Sequence, residues 1–261
     1  MKTDQEHRWL PLLLAAGLLL AAGPARAERP LLPGIGAEDR REAVPAAEAP
    51  WRSLSRVQTS LGGRCTGVLV APDRVATAAH CLLNRARRPL PESSLHVLFG
   101  YERGTFQSHA AVRAIAADPA YDPALPAQAI ARDWAVLTLA APAPSGVVPV
   151  PLLDREPQPG EAAMLGGYSQ DRAQILTADR ACRILGTAAA PGGPLLVHDC
   201  AATRGTSGTA LFVRDGGGWA VAGIGVAAGQ GAGQETGRRN FAVPAASLRR
   251  AVGVFAPSRQ P

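Results

Sequence analysis

The chain has 261 residues, of which 47% are hydrophobic and 18% are charged, so it can build a sizeable core and is not predicted to be disordered. Its formal net charge is +6, but Lys2 is its only lysine and its arginines are scattered. This distribution argues against the clustered basic patch of a nucleic-acid-binding protein. Aromatic residues make up only 5%, which also argues against a stacking surface for single-stranded nucleic acid.

The first 27 residues have the pattern of a secretory signal peptide. Lys2 and Arg8 precede an apolar run over 10–22, and Ala25 and Ala27 occupy the small-residue positions of a cleavage site. The run is shorter than the ~20 residues that a membrane-spanning helix needs. We therefore expect cleavage after Ala27 and export to the periplasm or the medium, with no stable membrane insertion. An uncleaved anchor is the alternative.

The rest of the chain has the pattern of an all-β protein. Residues 28–50, rich in Ala, Pro, Glu and Arg, are predicted to form an extended N-terminal arm. From Trp51 onward, short apolar or alternating runs recur between glycines and prolines, as in half-buried strands. The predicted strands are 65–70, 74–77, 95–99, 105–116, 134–139, 162–167, 181–186, 195–200, 209–213, 219–226 and 240–243.

The chain also carries one predicted helix and one predicted boundary. Residues 245–255 place Leu248, Val252 and Phe255 at helical spacing, and they are the only clear helix after the leader. The proline-rich segment 142–151 separates two halves of similar length, for which a sandwich or a barrel is expected.

Four cysteines are expected to form two disulfides in an oxidising compartment. Cys65 and Cys81 lie 16 residues apart, and Cys182 and Cys200 lie 18 apart. Four cysteines allow three pairings, of which the two local ones are favoured because each closes a short loop. The chain has no C-x-x-C motif and no histidine pair at helical ligand spacing, so no metal site is predicted.

Three segments point to nucleophilic hydrolysis. His80 follows a strand and lies beside Cys81, Asp133 begins an apolar strand, and Ser207 lies on a turn between Gly205 and Gly208. Each feature alone is more often structural: a buried histidine, a strand cap or a common glycine turn. Together they have the chain order of the chymotrypsin barrels, and the α/β-hydrolase G-x-S-x-G motif is absent around Ser207.

These segments resemble the chymotrypsin-like serine proteases. Residues 65–70 and 77–81 are similar to their histidine region, 133–137 to their aspartate strand and 205–208 to their serine loop. The arm over 34–40 resembles the bacterial glutamyl-endopeptidase-like branch. The resemblance implies two perpendicular six-stranded antiparallel barrels with a C-terminal helix: a first barrel over 51–145 and a second over 146–261.

The resemblance also implies a role for each site residue. His80 would be the general base and then the general acid, Asp133 would orient it, and Ser207 would be the nucleophile. The backbone N–H groups of Gly205 and Ser207 would form the oxyanion hole. The implied enzyme is a monomeric serine endopeptidase that acts on peptides or proteins and uses water without a cofactor.

Two positions depart from the family pattern near these residues. Thr206 stands where many relatives have an acid that pairs with a freed N-terminus, so this activation switch is not expected. Val226 stands where a polar side chain often supports the aspartate, so Asp133 is expected to have one partner fewer.

The expected specificity pocket has no obvious charged partner. The family pattern places Ala201 at its base, Ala202 or Thr203 at a hydroxyl position, and Gly225 at the position of the histidine of glutamyl-type enzymes. Because a buried charge without a partner costs several kcal/mol, we expect small or medium apolar side chains to be preferred before the scissile bond. Arg204, at the predicted rim, leaves an acidic preference as the alternative.

Two other functions remain open at this point. A catalytically silent binding protein on the same fold is the main alternative, although silent relatives usually lose one of the three catalytic residues. An esterase is the third, because an acyl-enzyme can also process esters.

Overall fold

The computed structural model describes residues 32–229 and 239–253. The predicted leader over 1–27 and the first residues of the arm lie outside this part of the chain. Within the described residues, no helix is both long enough and apolar enough to cross a membrane.

The described residues form thirteen strands and one α-helix, together with short 3-10 turns. The elements are β1 (Glu42–Ala43), β2 (Leu54–Thr59), β3 (Arg64–Ala71), β4 (Arg74–Thr77), β5 (Leu95–Phe99), β6 (Ser108–Ala117), β7 (Ala135–Leu139), β8 (Ala162–Gly167), β9 (Thr177–Ala190), β10 (Gly193–His198), β11 (Ala210–Asp215), β12 (Gly218–Ala227), β13 (Asn240–Pro244) and α1 (Arg249–Gly253).

The first six-stranded barrel is closed in the order β2-β3-β4-β7-β6-β5, with every neighbouring pair antiparallel. Val68, Val97 and Leu137 are fully buried in its core. Closure leaves no free sheet edge, so each strand can bond on both sides.

The second barrel follows the order β9-β10-β13-β12-β11-β8 and closes because β8 also pairs with β9. All of its pairings are antiparallel. Ile184, Leu196 and Leu211 are buried in a core of its own. Two closed six-stranded barrels and a short C-terminal helix confirm the predicted chymotrypsin-like fold class.

The described part of the N-terminal segment packs on the second barrel. Strand β1 pairs with β9, and Arg41 is buried between Asp39 and Asp171, bonding both. Burial acts to lower the pKa of Arg41, but the hydrogen bonds and charges of the two carboxylates outweigh it and raise that pKa. A buried arginine that forms two ion pairs fixes the path of this segment.

The structure corrects several predicted elements. Strand β2 was missed because Ser55 and Arg56 are polar but buried, which hides the apolar pattern. The predicted helix is a 3-10 turn over Ala245–Ser247 followed by α1, and its predicted end lies outside the described residues. Strand β9 is longer than predicted, and β6 begins at Ser108 rather than residue 105.

Candidate active site

His80 and Asp133 are brought together by two paired strands of the first barrel. β4 ends just before the 3-10 turn that contains His80, and β7 begins just after Asp133. Because Thr77 pairs with Ala135, both side chains lie at the same end of the barrel. The Asp133 carboxylate accepts the His80 backbone N–H at 2.8 Å and contacts its Nδ1 at 2.6 Å.

The pair consists of a buried acid and a partly exposed base. Asp133 is buried, whereas 35% of the His80 side chain remains exposed. Burial acts to lower the pKa of His80, but the hydrogen bond and the charge of Asp133 outweigh it and raise this pKa above its usual value. Both carboxylate oxygens are engaged by His80. Val226, which stands where relatives often have a polar residue, has no side-chain group that could form a hydrogen bond with Asp133.

Ser207 lies on a turn held by both barrels. Its carbonyl oxygen accepts the N–H of Thr66 on β3 at 2.9 Å, and the Gly208 N–H donates to Gly225 on β12 at 2.7 Å. Gly208 has a φ of +84°, and a methyl group there would clash with Thr77 Oγ1 and the Thr66 carbonyl. Only glycine allows this close approach.

A second glycine shapes the turn before the serine. Thr206 N–H donates to the Thr203 carbonyl at 3.1 Å, and Gly205, in the third position of this turn, has a φ of +93°. This geometry fits a type II turn, which favours glycine there. The Arg204 carbonyl accepts the Gln170 N–H at 2.7 Å, which fixes the orientation of the Arg204–Gly205 peptide.

Both predicted disulfides are present in the structure: Cys65 with Cys81, and Cys182 with Cys200. The first ties the turn of His80 to β3. Potential ligand atoms of Cys65, His80 and Cys81 lie within 4.8 Å of one another. The sulfurs bond each other and cannot act as thiolate ligands, so this cluster does not fit a metal.

His80 and Ser207 face one cleft. They line a cavity of about 590 Å³ together with Cys65, Tyr168 and Gly205. Within residues 32–229 and 239–253, no hydrogen bond joins the Ser207 hydroxyl to His80. Catalytic hydrogen bonds are often long before a substrate binds.

A second cavity, of about 180 Å³, lies on another side of Ser207. Ala202, Thr203 and Gly225, three of the four residues of the predicted specificity pocket, line it. Ala201, the fourth residue of the predicted pocket, is buried and is not among the described residues that line this cavity. Its N–H donates to the buried carboxylate of Asp179 at 2.8 Å.

The sequence reasoning missed His198, which lines the same cavity at the end of β10. It is only 1% exposed, and neither ring nitrogen has a hydrogen-bond partner among the described residues. Burial lowers its pKa to about 4, although the charge of Asp199 acts in the opposite direction. A lone histidine two residues before Cys200 in an apolar strand was the available signal.

Comparisons with known proteins agree with this architecture. The trypsin-like peptidase domain family matches residues 65–224. A glutamyl endopeptidase of Bacillus licheniformis is 36% identical over 59 residues, which are 23% of this chain and only 18% of that relative's length. A solved structure of a Glu endopeptidase in complex with MPD has a TM-score of 0.66 at 20% identity and covers 85% of this chain and 100% of its own. At that identity the solved structure supports the fold alone. The family match covers well over half of the sequence, and the chain therefore belongs to the trypsin-like peptidase domain family.

Proposed function

We propose that the protein is an exported serine endopeptidase that uses Ser207, His80 and Asp133. The observation that carries the proposal is the 2.6 Å contact between His80 Nδ1 and buried Asp133, in a cleft that Ser207 also lines. A carboxylate on Nδ1 holds the proton there, so Nε2 is free to accept one from a serine hydroxyl.

The reaction follows from these roles. Ser207 Oγ attacks the scissile carbonyl carbon while His80 Nε2 takes its proton, giving a tetrahedral intermediate. The C–N bond then breaks, His80 gives its proton to the departing amine, and an acyl-enzyme remains on Ser207. Water then attacks the ester carbonyl while His80 takes its proton, the acyl C–Oγ bond breaks, and His80 returns the proton to Ser207 Oγ as the acid leaves. The charge of Asp133 stabilises the imidazolium that forms.

The oxyanion of the intermediate would be bound by the backbone N–H groups of Gly205 and Ser207. In a trans peptide the C=O and N–H point in opposite directions. Because the Arg204 carbonyl is bound to Gln170, the Gly205 N–H is held on the opposite side of that peptide. Neither N–H is used in a backbone bond among the described residues.

Cellular location and organisation belong to the same proposal. The apolar leader with its A-x-A site and the two disulfides support export to the periplasm or the medium. We expect a monomer in which residues 51–145 supply the acid–base pair and residues 146–261 supply the nucleophile and the pocket.

Labelling by a fluorophosphonate probe tests the proposed activity. We expect the secreted protein to be labelled on Ser207, and we expect Ser207→Ala to abolish both labelling and peptidase activity. Ser145→Ala removes an exposed serine on a loop and should change neither. A folded wild-type protein that is never labelled and cleaves no peptide would support the alternative, a silent binding protein.

A further inference from the structure

The hydroxyl of Thr66 lies between the two barrels, close to the turn that carries Ser207. Thr66 belongs to β3 of the first barrel and is fully shielded from solvent. Its Oγ1 donates to the carbonyl of Gly205 at 3.0 Å and accepts the N–H of Tyr168, which follows β8, at 3.0 Å. One side chain of the first barrel therefore joins two segments of the second barrel.

These two segments together hold the peptide that carries the Gly205 N–H. The carbonyl of that peptide belongs to Arg204 and accepts the N–H of Gln170. Gln170 lies two residues after Tyr168, whose own N–H is bound by Thr66. The carbonyl of Gly205, on the other side of the same residue, is bound by Thr66 directly. Thr66 thus fixes Gly205 relative to the segment that orients its N–H.

The turn over 203–206 has an alternative form in which this peptide is reversed. Type I and type II turns differ in the orientation of their central peptide, which is rotated by roughly 150–170° between them. The positive φ of Gly205 and the hydrogen bond from Gln170 to the Arg204 carbonyl define the type II form. In the type I form that hydrogen bond would be lost, and the Gly205 N–H would turn away from its present side.

The backbone of Thr66 contacts the same site. Its N–H donates to the Ser207 carbonyl at 2.9 Å, and its own carbonyl accepts the Thr77 hydroxyl at 2.8 Å. Thr77 is the last residue of β4, three residues before His80. A substitution of the Thr66 side chain leaves these backbone groups in place, so it isolates the contribution of the hydroxyl.

We propose that Thr66 is a positioning residue of the reaction, and that its hydroxyl holds the Gly205 N–H in the orientation that binds the oxyanion. The inference rests on the proposed function, because an oxyanion forms only when Ser207 attacks a carbonyl. Thr66 is not among the described residues that line the cleft, so it acts through Gly205. Its loss should therefore weaken binding of the transition state more than binding of the substrate.

Two variants separate the hydroxyl of Thr66 from the rest of the side chain. Thr66→Val leaves the buried Gly205 carbonyl and the Tyr168 N–H without this partner, whereas Thr66→Ser keeps the hydroxyl and removes only a methyl group. With a peptide that the wild-type protein cleaves, we expect Thr66→Val to lower kcat by about 10- to 100-fold and to leave KM nearly unchanged. This is less than the loss of an entire oxyanion donor, because Gln170 still binds the Arg204 carbonyl. Thr66→Ser should keep kcat near the wild-type value.

A pair of inhibitors measures the oxyanion hole separately from the shape of the cleft. A peptide aldehyde bonds through its carbonyl carbon to Ser207 Oγ, the hydroxyl proton passes to His80, and the carbonyl oxygen becomes an oxyanion. The matching peptide alcohol has no carbonyl at that position and binds without an oxyanion. We expect Thr66→Val to weaken inhibition by the aldehyde by about 10- to 100-fold and to leave inhibition by the alcohol near the wild-type value.

Ser53→Ala is the matched control for loss of a buried hydroxyl. Ser53 lies on the 3-10 turn before β2, is fully buried, and donates to the Pro50 carbonyl at 2.7 Å. Its replacement should lower stability and leave kcat and both inhibition constants unchanged. If Thr66→Val fails to fold, Thr66→Ala, which also lacks the hydroxyl, takes its place in the comparison.

Several results would overturn the inference while the proposed function stands. One is unchanged kcat in folded Thr66→Val. Another is equal weakening of the aldehyde and the alcohol, which would assign the effect to the shape of the cleft. A third is a Thr66→Ser protein as impaired as Thr66→Val. A wild-type protein that is not labelled on Ser207 refutes the proposed function, and the inference falls with it.

Discussion

Each barrel places one histidine in the lining of a cavity that Ser207 also lines, and the surroundings of these two histidines differ. In the first barrel His80 is bound by the carboxylate of Asp133, and its pKa is raised. In the second barrel the ring of His198 has no hydrogen-bond partner in the part of the chain that the structure describes, and burial lowers its pKa to about 4. The residue type is the same, so the difference comes from the environment alone.

This contrast shows how the surroundings of a side chain decide what it can do. A histidine with a fixed carboxylate partner is oriented and basic, which suits proton transfer. A histidine buried without a carboxylate partner stays neutral, because burial disfavours the charged imidazole. The following predictions test this contrast, from the largest expected effect to the smallest.

Asp133→Asn removes the carboxylate that distinguishes the surroundings of His80 from those of His198. The amide cannot hold the proton on Nδ1 of His80, so we expect kcat to fall by about 10⁴-fold. Asp122→Asn, at an exposed loop position, is the matched control and should retain wild-type activity. Peptide hydrolysis of both purified variants would measure the effect. Near wild-type turnover by Asp133→Asn would remove Asp133 from the mechanism.

Gly205→Ala should damage the oxyanion hole. Gly205 has a φ of +93°, and a methyl group there would clash with the Tyr168 carbonyl and lie 2.7 Å from Gln170 N. Displacement of one oxyanion donor typically costs about 10²–10³ in turnover, and we expect a loss in that range.

The control for this variant is Gly217→Ala, which has a φ of +84° but open space around the added methyl group. It should cost only about 1–2 kcal/mol of stability from the left-handed backbone and leave kcat unchanged. Equal activity losses in the two variants would mean that backbone strain, and not the position of the Gly205 N–H, is responsible.

Acid should destabilise the protein through His198. Its pKa is about 4 in the folded state and about 6.5 in the unfolded chain, so the unfolded state binds more protons as pH falls from 6.5 towards 4. By pH 4.5 this difference should cost about 2–3 kcal/mol of the free energy of unfolding. His198→Leu should lose this part of the pH dependence, as urea unfolding of both proteins at pH 7.5 and 4.5 would measure. Parallel changes in the two proteins would show that His198 is not buried in its neutral form.

The rate of hydrolysis should rise with pH through the pKa of His80. The base must be neutral, and Asp133 raises this pKa, so the midpoint of kcat/KM should lie above 6.5. In Asp133→Asn the negative charge that raises the pKa of His80 is gone, so the midpoint of kcat/KM should move to lower pH. A midpoint that does not move would contradict the coupling between the two residues. A peptide substrate with an uncharged side chain before the scissile bond avoids any contribution from His198 to this measurement.

Much of the fold was predictable from local pattern. Alternating apolar runs bounded by glycine and proline predicted most strands of both barrels, because half-buried strands impose that alternation. Strand β2 was not predicted, because buried Ser55 and Arg56 hide its alternating pattern. Strand β1 was not predicted either, because it consists of only two residues, both paired with β9. Such elements depend on long-range contacts that a local pattern does not carry.

The candidate site was predictable to a different extent. His80, Asp133 and Ser207 were chosen from chain order and flanking residues. In the structure His80 contacts Asp133, and His80 and Ser207 line one cleft. The cavity beside Ser207 is lined by three residues of the predicted pocket and by His198, which the sequence patterns did not single out. Whether a histidine on a strand is satisfied depends on what packs around it, and single-sequence patterns do not contain this information.

The rate at which a fluorophosphonate labels Ser207 in wild type, His80→Ala and His198→Leu tests the central claim most directly. The probe needs the nucleophile and its base but carries no side chain for the pocket. We therefore expect labelling to be almost lost in His80→Ala and to remain near the wild-type rate in His198→Leu. Equal losses in the two variants, or undiminished labelling in His80→Ala, would contradict the division of roles between the two histidines.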